Sequence, residues 1–296
     1  MKRASPSLPA ICLLLAACLP APTLAQDSTD ITEPATAPST PADRVAAARR
    51  AEATGQMLIA VQRAAARAQL QYLGMVGGTP PARYAGAVVL PGDTPDSWDV
   101  VITARMSDAP DTDYLALAEY GVSRDTITSE VLHPDGMQPT LDGAASALAQ
   151  ARSFAPRAVV AAGNTSFCVA DEAATGVSFV TIVLPPDAEG RFSAYVLNGP
   201  IDDSAVPLGK HFRVDFDAYG LAGEPVLLND GCEVIPLRRD TGEAITGGYG
   251  TEFTGDVPTE LHVFLTGQMQ RSLTLVTPGG PWSIADGVIL SLTPAD

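Results

Sequence analysis

The amino-acid sequence predicts an α+β protein with a mostly antiparallel sheet, a long N-terminal helix and a second helix near the middle of the chain. Residues 41–73 are rich in Ala and Arg and carry apolar residues at helical spacing. From Tyr84 onward the apolar residues follow a period of two, which is typical of strands, and the connections are short and hairpin-like. The sequence shows no regular alternation of strand and helix, which excludes a doubly wound fold.

The first helix has clear start signals. Thr40 is a preferred N-cap residue, Pro41 suits the first helical position, and Asp43 places a negative charge in the first turn. Gly74 is expected to end this helix, and Gly55 is expected to weaken its middle.

The remaining elements follow from the change of period. A second helix is predicted over residues 141–154, with Thr140 as its cap. Strands are predicted over residues 98–105, 114–120, 126–132, 179–184, 192–197, 211–216, 226–228, 260–266, 273–277 and 284–292. The last of these is expected to be a hairpin that turns at Asp286 and Gly287.

Residues 1–25 have the three parts of a bacterial secretory signal peptide. Lys2 and Arg3 precede an apolar run over residues 8–19, and small residues precede a cleavage site after Ala25. A membrane-spanning helix needs about 20 apolar residues, so the run is too short to span a bilayer. We therefore expect cleavage after Ala25 and a periplasmic or secreted protein.

A second interpretation of the N-terminus stays open. Residues 15–18 (LAAC) also fit a lipoprotein signal, in which Cys18 is lipidated and becomes the new N-terminus. Lipidation at Cys18 would make the protein membrane-anchored, and it is the only route to a membrane that the sequence indicates.

The predicted domain organisation has four parts. Residues 1–25 are the signal peptide, and residues 26–40 are a polar, Pro- and Thr-rich tether with little to bury. Residues 41–162 form a subdomain of helix and antiparallel strands, and residues 163–296 form a mainly β subdomain.

The charge of the chain limits its partners. The net charge is −16, and it falls to −18 when Lys2 and Arg3 leave with the signal peptide, because 16 basic residues then face 34 acidic ones. A field of this sign repels nucleic acid and anionic lipid surfaces. We expect no nucleic-acid partner.

The cysteines predict a disulfide. Cys12 and Cys18 lie in the signal peptide, which leaves Cys168 and Cys232 after cleavage at Ala25. Two cysteines in an oxidising compartment most often pair. Neither has the closely spaced partner of a zinc site, so we expect a Cys168–Cys232 disulfide.

The sequence lacks the common catalytic and cofactor motifs. It contains no nucleophile elbow, HExxH zinc motif, dinucleotide-binding glycine fingerprint or phosphate-binding Walker loop. No cofactor is predicted.

The best candidate for chemistry comes from two predicted strands. In residues 211–216, alternation places His211, Arg213 and Asp215 on one face; in residues 260–266 it places Glu260 and His262 on one face. If these strands are neighbours, imidazole and carboxylate groups converge, which could transfer protons or bind a metal. Such pairs are also ordinary stabilisers of the solvent face of a sheet, and we favour that interpretation.

Three segments carry a resemblance. Residues 181–186 (TIVLPP), 207–214 (PLGKHFRV) and 258–264 (PTELHVF), together with Trp282, resemble a group of uncharacterised exported proteins of Gram-negative bacteria. The group has no assigned activity. The resemblance therefore implies an envelope location and a shared fold, and it implies no catalytic role.

Competing functions follow. The favoured one is a non-catalytic periplasmic binding module whose partner is an envelope protein or a small ligand. A separate hypothesis is a small-ligand pocket between the subdomains that Trp98 and Trp282 could line, although we favour core packing for these two residues. The alternative is a metal-dependent or acid–base hydrolase that uses His211, Glu260 and His262, in which the two histidines would be the metal ligands. The sequence leans towards a protein that is not an enzyme.

Overall fold

A computed structural model gives the structure of the protein. It describes residues 40–109, 111–163, 167, 179–199, 204–239, 241–269 and 271–291. The predicted signal peptide, nearly all of the predicted tether, and Cys18 and Cys168 lie outside these residues.

The described chain is an α+β protein, as predicted. Its helices are α1 (Pro41–Met75), α2 (Gly143–Ala161) and α3 (Glu260–Met269). Its strands are β1 (Tyr84–Pro91), β2 (Ser97–Arg105), β3 (Tyr114–Ser123), β4 (Thr126–Leu132), β5 (Phe179–Val183), β6 (Phe192–Asn198), β7 (Ala205–Pro207), β8 (His211–Phe216), β9 (Val226–Asn229), β10 (Val234–Pro236), β11 (Tyr249–Glu252), β12 (Leu273–Thr277), β13 (Gly280–Ala285) and β14 (Val288–Ser291).

The first helix begins where its local signals place it. The Asp43 amide donates to Thr40 Oγ1 and the Thr40 amide donates to Asp43 Oδ2, both at 3.2 Å, which completes a capping box. The helix continues past the predicted end at Gly74 to Met75.

Two helices cover the first sheet, which has the antiparallel order β1–β2–β3–β4. Val89, Val100 and Ile102 belong to the same buried cluster as Leu58 of α1. The alternate residues of the same strands, Val88 and Val101 among them, pack in a second cluster with Leu148 of α2. Period-two alternation thus gives the sheet two apolar faces, one for each helix.

The second sheet has the antiparallel order β5–β6–β8–β9, and α2 covers one of its faces. Ala194, Phe212 and Val214 pack with α2 in the second cluster. Tyr195 and Leu197 point to the other side and join the cluster that contains α1 and α3. Helix α2 therefore lies between two sheets, and the second face of the β6–β8 pair is turned towards α1 and α3.

A third sheet has the order β11–β12–β13–β14, and β10 pairs with β7. Strands β11 and β12 are parallel, and α3 is the crossover between them. The predicted hairpin is confirmed: Asp286 and Gly287 have φ values of 50° and 74°, as a two-residue turn between β13 and β14 requires.

The prediction of a strand over residues 260–266 is wrong, because this segment is the first part of α3. A short run of apolar residues fits a strand or a buried helix equally well. The deciding signal is local: the Thr259 amide donates to His262 Nδ1 at 3.0 Å. His262 thus takes the position that Glu or Gln holds in a capping box.

The second helix differs from its prediction at both ends. Its N-cap is Asp142, while Thr140 pairs with Leu115 in an isolated bridge. It continues past Pro156 to Ala161, although a proline inside a helix is unfavourable. The predicted domain division at residues 162 and 163 stays a prediction.

Candidate functional site

A cleft of about 510 Å³ lies between α1, the β6–β8 face of the second sheet and the N-terminal end of α3. Its polar lining includes Ser193 and Tyr195 on β6, Arg213 on β8 and Glu260 on α3. These residues come from elements far apart in the sequence, and the fold brings them to one surface.

The strand part of this surface follows from register. Ser193 lies opposite Asp215 and Tyr195 lies opposite Arg213 in the antiparallel β6–β8 pair. Ser193 Oγ donates to Asp215 Oδ1 at 2.6 Å, and Arg213 Nε lies 2.9 Å from the same carboxylate oxygen. Cross-strand pairing thus fixes the Arg213 guanidinium at the cleft.

Glu260 completes the network from the helix. Its Oε1 accepts hydrogen bonds from Arg213 Nη1 and from the Tyr195 hydroxyl, each at 3.1 Å. A carboxylate in the first turn also suits the positive end of the α3 dipole. Within the described chain Glu260 Oε2 accepts no hydrogen bond.

The environment keeps both donors to Glu260 protonated. Burial, with the nearby Glu260 charge, raises the pKa of the Tyr195 phenol above its usual value. Burial alone would lower the pKa of Arg213, but the surrounding acidic groups, Asp215 first, outweigh it and raise the pKa. Tyr195 and Arg213 therefore act as hydrogen-bond donors and not as bases.

Two further arginines line the cleft. Arg50 lies exposed on α1, and no residue in the described ranges forms an ion pair or hydrogen bond with its side chain. Arg191, just before β6, pairs with Asp187 and Glu189 at 3.0 Å each. The cleft thus gathers three guanidinium groups on a protein whose overall charge is strongly negative.

The structure separates the predicted patch into two parts. Arg213 and Glu260 meet in the cleft, and Asp215 pairs with Arg213. Glu260 reaches this position from helix α3 and not from a neighbouring strand. His211 and His262 are instead buried, and neither lines the cleft. The alternation in β8 does put His211 on the face of Arg213, but that end of the strand lies in the interior, near His262 of α3.

The ring of His211 is used inside the protein. Its Nδ1 accepts the Asn198 amide at 3.0 Å and its Nε2 donates to the Pro207 carbonyl at 2.9 Å. Burial lowers its pKa to about 4, so the ring is neutral near pH 7. With both nitrogens engaged, His211 has no lone pair for a metal.

The ring of His262 caps α3. Burial, with a smaller contribution from His211, lowers its pKa to about 3. In the described ranges, no group of three or more His, Cys, Asp or Glu residues is placed to hold a metal ion. His211 and His262, the metal ligands of the alternative function, are thus engaged in contacts within the protein.

The sequence did not single out Ser193, Tyr195 or Arg50. The alternation of β6 contained a signal for Ser193, since its neighbours Phe192 and Ala194 point to the core. Tyrosine fits a buried or an exposed face, and Arg50 belongs to the site only through the packing of α1.

Both tryptophans pack with the main core, the arrangement that was favoured over a pocket lining. Trp282 is buried in the main core on β13, and Trp98 packs half-buried against the same cluster. Neither lines the cleft.

Cys232 lies in the loop between β9 and β10 and is disulfide-bonded. The three other cysteines, Cys12, Cys18 and Cys168, all lie outside the described residues. The Cys168–Cys232 pairing therefore stays a prediction.

No protein-family model, no curated protein and no solved structure matches the chain. The resemblance to uncharacterised exported proteins of Gram-negative bacteria stays a prediction. In the described part of the chain, no helix is both long and apolar enough to cross a membrane.

Proposed function

We propose that this protein is an exported, non-catalytic binding module that holds a small polar ligand in the cleft between α1, β6, β8 and α3. The observation that carries the proposal is the network of Tyr195, Arg213 and Glu260 on the cleft floor, with Arg50 at its edge.

This network is organised before any ligand arrives. Arg213 is held by Asp215 and by Glu260, and Tyr195 is fixed in a strand by its cross-strand pair. Groups already fixed in place lose little conformational entropy on binding, which favours affinity. The volume of about 510 Å³ lies in the range of about 300–1,000 Å³ that is usual for small-molecule sites.

The chemistry of the lining defines the ligand class. The guanidinium groups of Arg50 and Arg213 donate to a carboxylate or another acceptor. Glu260 Oε2 accepts from an amine or hydroxyl. The cleft therefore suits a molecule that carries both groups, such as a free amino acid.

Binding fits this geometry better than acid–base catalysis. The side chains best suited to proton transfer near pH 7 are histidines. His211 and His262 are buried, their pKa values are lowered to about 4 and about 3, and their rings lie outside the cleft. The cleft presents fixed donors and one open carboxylate oxygen.

Thermal-shift measurements with amino acids, dicarboxylates and monosaccharides test the proposal. A ligand at about 100 times its Kd stabilises a protein by about 2.7 kcal/mol, which moves Tm by a measurable amount. We expect a compound with both acceptor and donor groups to raise Tm, and Arg50→Gln to weaken its binding.

Arg49→Gln is the matched control, because it removes the same charge one residue away. Arg49 pairs with Glu52 and does not line the cleft. Equal loss of affinity in both variants, or no stabilising compound in the panel, would contradict the proposal.

Intact-mass measurement after expression in a Gram-negative host tests export. A mature chain that begins at Gln26 indicates cleavage after Ala25 and a periplasmic or secreted protein. A heavier N-terminus that begins at Cys18 indicates a lipoprotein. An uncleaved chain would contradict export in either form.

A further inference from the structure

The cleft between α1, β6, β8 and α3 has an apolar wall in addition to its polar floor. Ala51, Leu184 and Val257 line it, and they come from α1, from the segment after β5 and from the segment before α3. Each of the three is only partly buried and packs against the edge of the main core cluster. Apolar surface that continues the core is therefore open to whatever occupies the cleft.

This wall is held in place by backbone contacts on both sides. The Leu184 amide donates to the Ser193 carbonyl at 2.9 Å, which keeps Leu184 beside the polar floor. On the other side, the carbonyl of Asp256 accepts a hydrogen bond from Thr277 Oγ1 at 3.0 Å, and Val257 is the next residue. The wall is thus part of the folded frame, like the network of charged groups below it.

Helix α1 leaves room in front of the wall. Ala47, Arg50, Ala51 and Thr54 all line the cleft, and their spacing of i, i+3, i+4 and i+7 places them on one face of the helix. Two of these four side chains are single methyl groups, so the helix surface is low on both sides of Arg50. The Arg50 guanidinium therefore stands on the same helix face as apolar surface that a ligand can cover.

The size of the cleft limits how much of this surface a small ligand covers. A volume of about 510 Å³ is typical of sites for drug-sized molecules, and glycine or alanine would leave water against the apolar wall. Each methylene group that moves from water onto such a wall improves affinity by about fourfold. A charged group placed there would instead lose hydration without gaining a partner.

We propose that the ligand of the cleft is an amino acid with a large apolar side chain, such as leucine or phenylalanine. This inference rests on the proposed function and narrows its ligand class. The polar head group of the ligand binds the floor at Arg213 and Glu260, and its side chain covers Leu184 and Val257. Such a ligand carries no net charge near pH 7, so the strongly negative protein does not repel it as it would an acidic ligand.

Calorimetric titration of the full mature protein with leucine, phenylalanine, alanine and aspartate tests the proposal. Leucine has three more side-chain carbon atoms than alanine. We expect leucine to bind about 10- to 60-fold more tightly than alanine, the range from partial to full burial of these atoms. We expect phenylalanine to bind more tightly than alanine as well, and aspartate to bind most weakly of the four.

Variants of the wall are compared by the ratio of the affinities for leucine and alanine. Both ligands bind the same folded protein, so a loss of folded protein leaves this ratio unchanged. Leu184→Ala and Val257→Ala should each lower the ratio about three- to tenfold. Leu70→Ala, a change at a 68% exposed residue of α1 outside the cleft, should not alter it. Arg50→Gln should weaken the binding of both amino acids and preserve their ratio.

The outcomes separate this inference from the function on which it rests. Equal affinities for leucine and alanine, or a ratio that neither wall variant changes, would overturn the apolar side-chain specificity while amino-acid binding stands. Tightest binding of aspartate would overturn it in the same way. A cleft that binds none of the four amino acids would contradict both this inference and the amino acid as ligand.

Discussion

Arg213 on β8 and Glu260 at the start of α3 form an ion pair in which Nη1 lies 3.1 Å from Oε1. The Arg213 side chain is 31% exposed and the Glu260 side chain is 12% exposed, so water screens the pair only in part. This contact fixes the N-terminal end of α3 to the second sheet. It therefore couples the packing of the helix to the shape of the cleft.

Removal of the Glu260 charge should destabilise the protein. Glu260→Gln keeps the shape of the side chain but leaves Asp215 as the one anionic partner of Arg213 among the described residues. We expect a loss of about 1–3 kcal/mol in the free energy of unfolding, less than for a fully buried pair because both groups still reach water. Urea unfolding followed by circular dichroism measures it.

Glu243→Gln is the surface control for that change. Glu243 lies 3.7 Å from Arg239 in a pair whose side chains are both more than half exposed. Such a pair contributes about 0–1 kcal/mol. Equal effects of the two substitutions would show that Glu260 behaves as a surface charge.

Local signals predicted the elements that local interactions determine. The capping residues Thr40 and Asp43 placed the start of α1 at the correct residue, and Asp286 and Gly287 placed the last hairpin. Each depends on a few neighbouring residues, so the sequence contains all that is needed.

Burial depth was the part that the sequence could not provide. Alternation correctly assigned His211 and Arg213 to one face of β8, but one ring is sealed in the core and the other side chain lies at the cleft. That difference depends on where α3 packs. The apolar run in α3 fits a strand as well as a buried helix. The sequence alone therefore could not predict where this segment packs.

The two buried histidines should make stability depend on pH. In the unfolded chain each imidazole binds a proton near pH 6.5, whereas in the folded protein burial lowers the pKa of His211 to about 4 and of His262 to about 3. The two neutral, buried rings contribute fully to the free energy of unfolding above pH 6.5. This contribution is lost as the pH falls towards 4, by up to about 1.4 kcal/mol per pH unit for each group, because the unfolded state binds more protons.

Urea unfolding at pH 7.5, 6.5, 5.5 and 4.5 measures this slope. His262→Asn provides the comparison, since an amide oxygen can accept the Thr259 amide as Nδ1 does but does not titrate in this range. We expect the slope below pH 6.5 to decrease in the variant. A slope that stays the same would contradict a neutral, buried His262.

The predicted disulfide can be tested by peptide mapping of the exported protein without reduction. We expect a single cross-linked peptide that contains Cys168 and Cys232. The bond closes a loop of about 65 residues, for which the chain-entropy model gives a stabilisation of about 4 kcal/mol as an upper value. Cys232→Ser should lower Tm accordingly, and a cross-link of Cys232 to another cysteine would contradict the pairing.

Two glycines of α1 should respond in opposite directions to the same substitution. A Cβ at Gly55 would lie 2.4 Å from Val263 Cβ and 2.7 Å from the Glu260 carbonyl oxygen, so α3 would have to move away. A Cβ at Gly74 would meet no atom within 4 Å. Gly55 thus allows close packing of α1 and α3, in addition to the expected weakening of the helix.

We therefore expect Gly74→Ala to raise the free energy of unfolding by up to about 1 kcal/mol, through helix propensity alone. Gly55→Ala gains the same propensity, but overpacking costs about 1–3 kcal/mol, so its net effect should be destabilising. Because the displaced turn carries Glu260, Gly55→Ala should also weaken ligand binding in the cleft while Gly74→Ala leaves it unchanged. Urea midpoints and ligand titrations of the two variants measure both effects, and stabilisation by Gly55→Ala would show that the helices are not in close contact there.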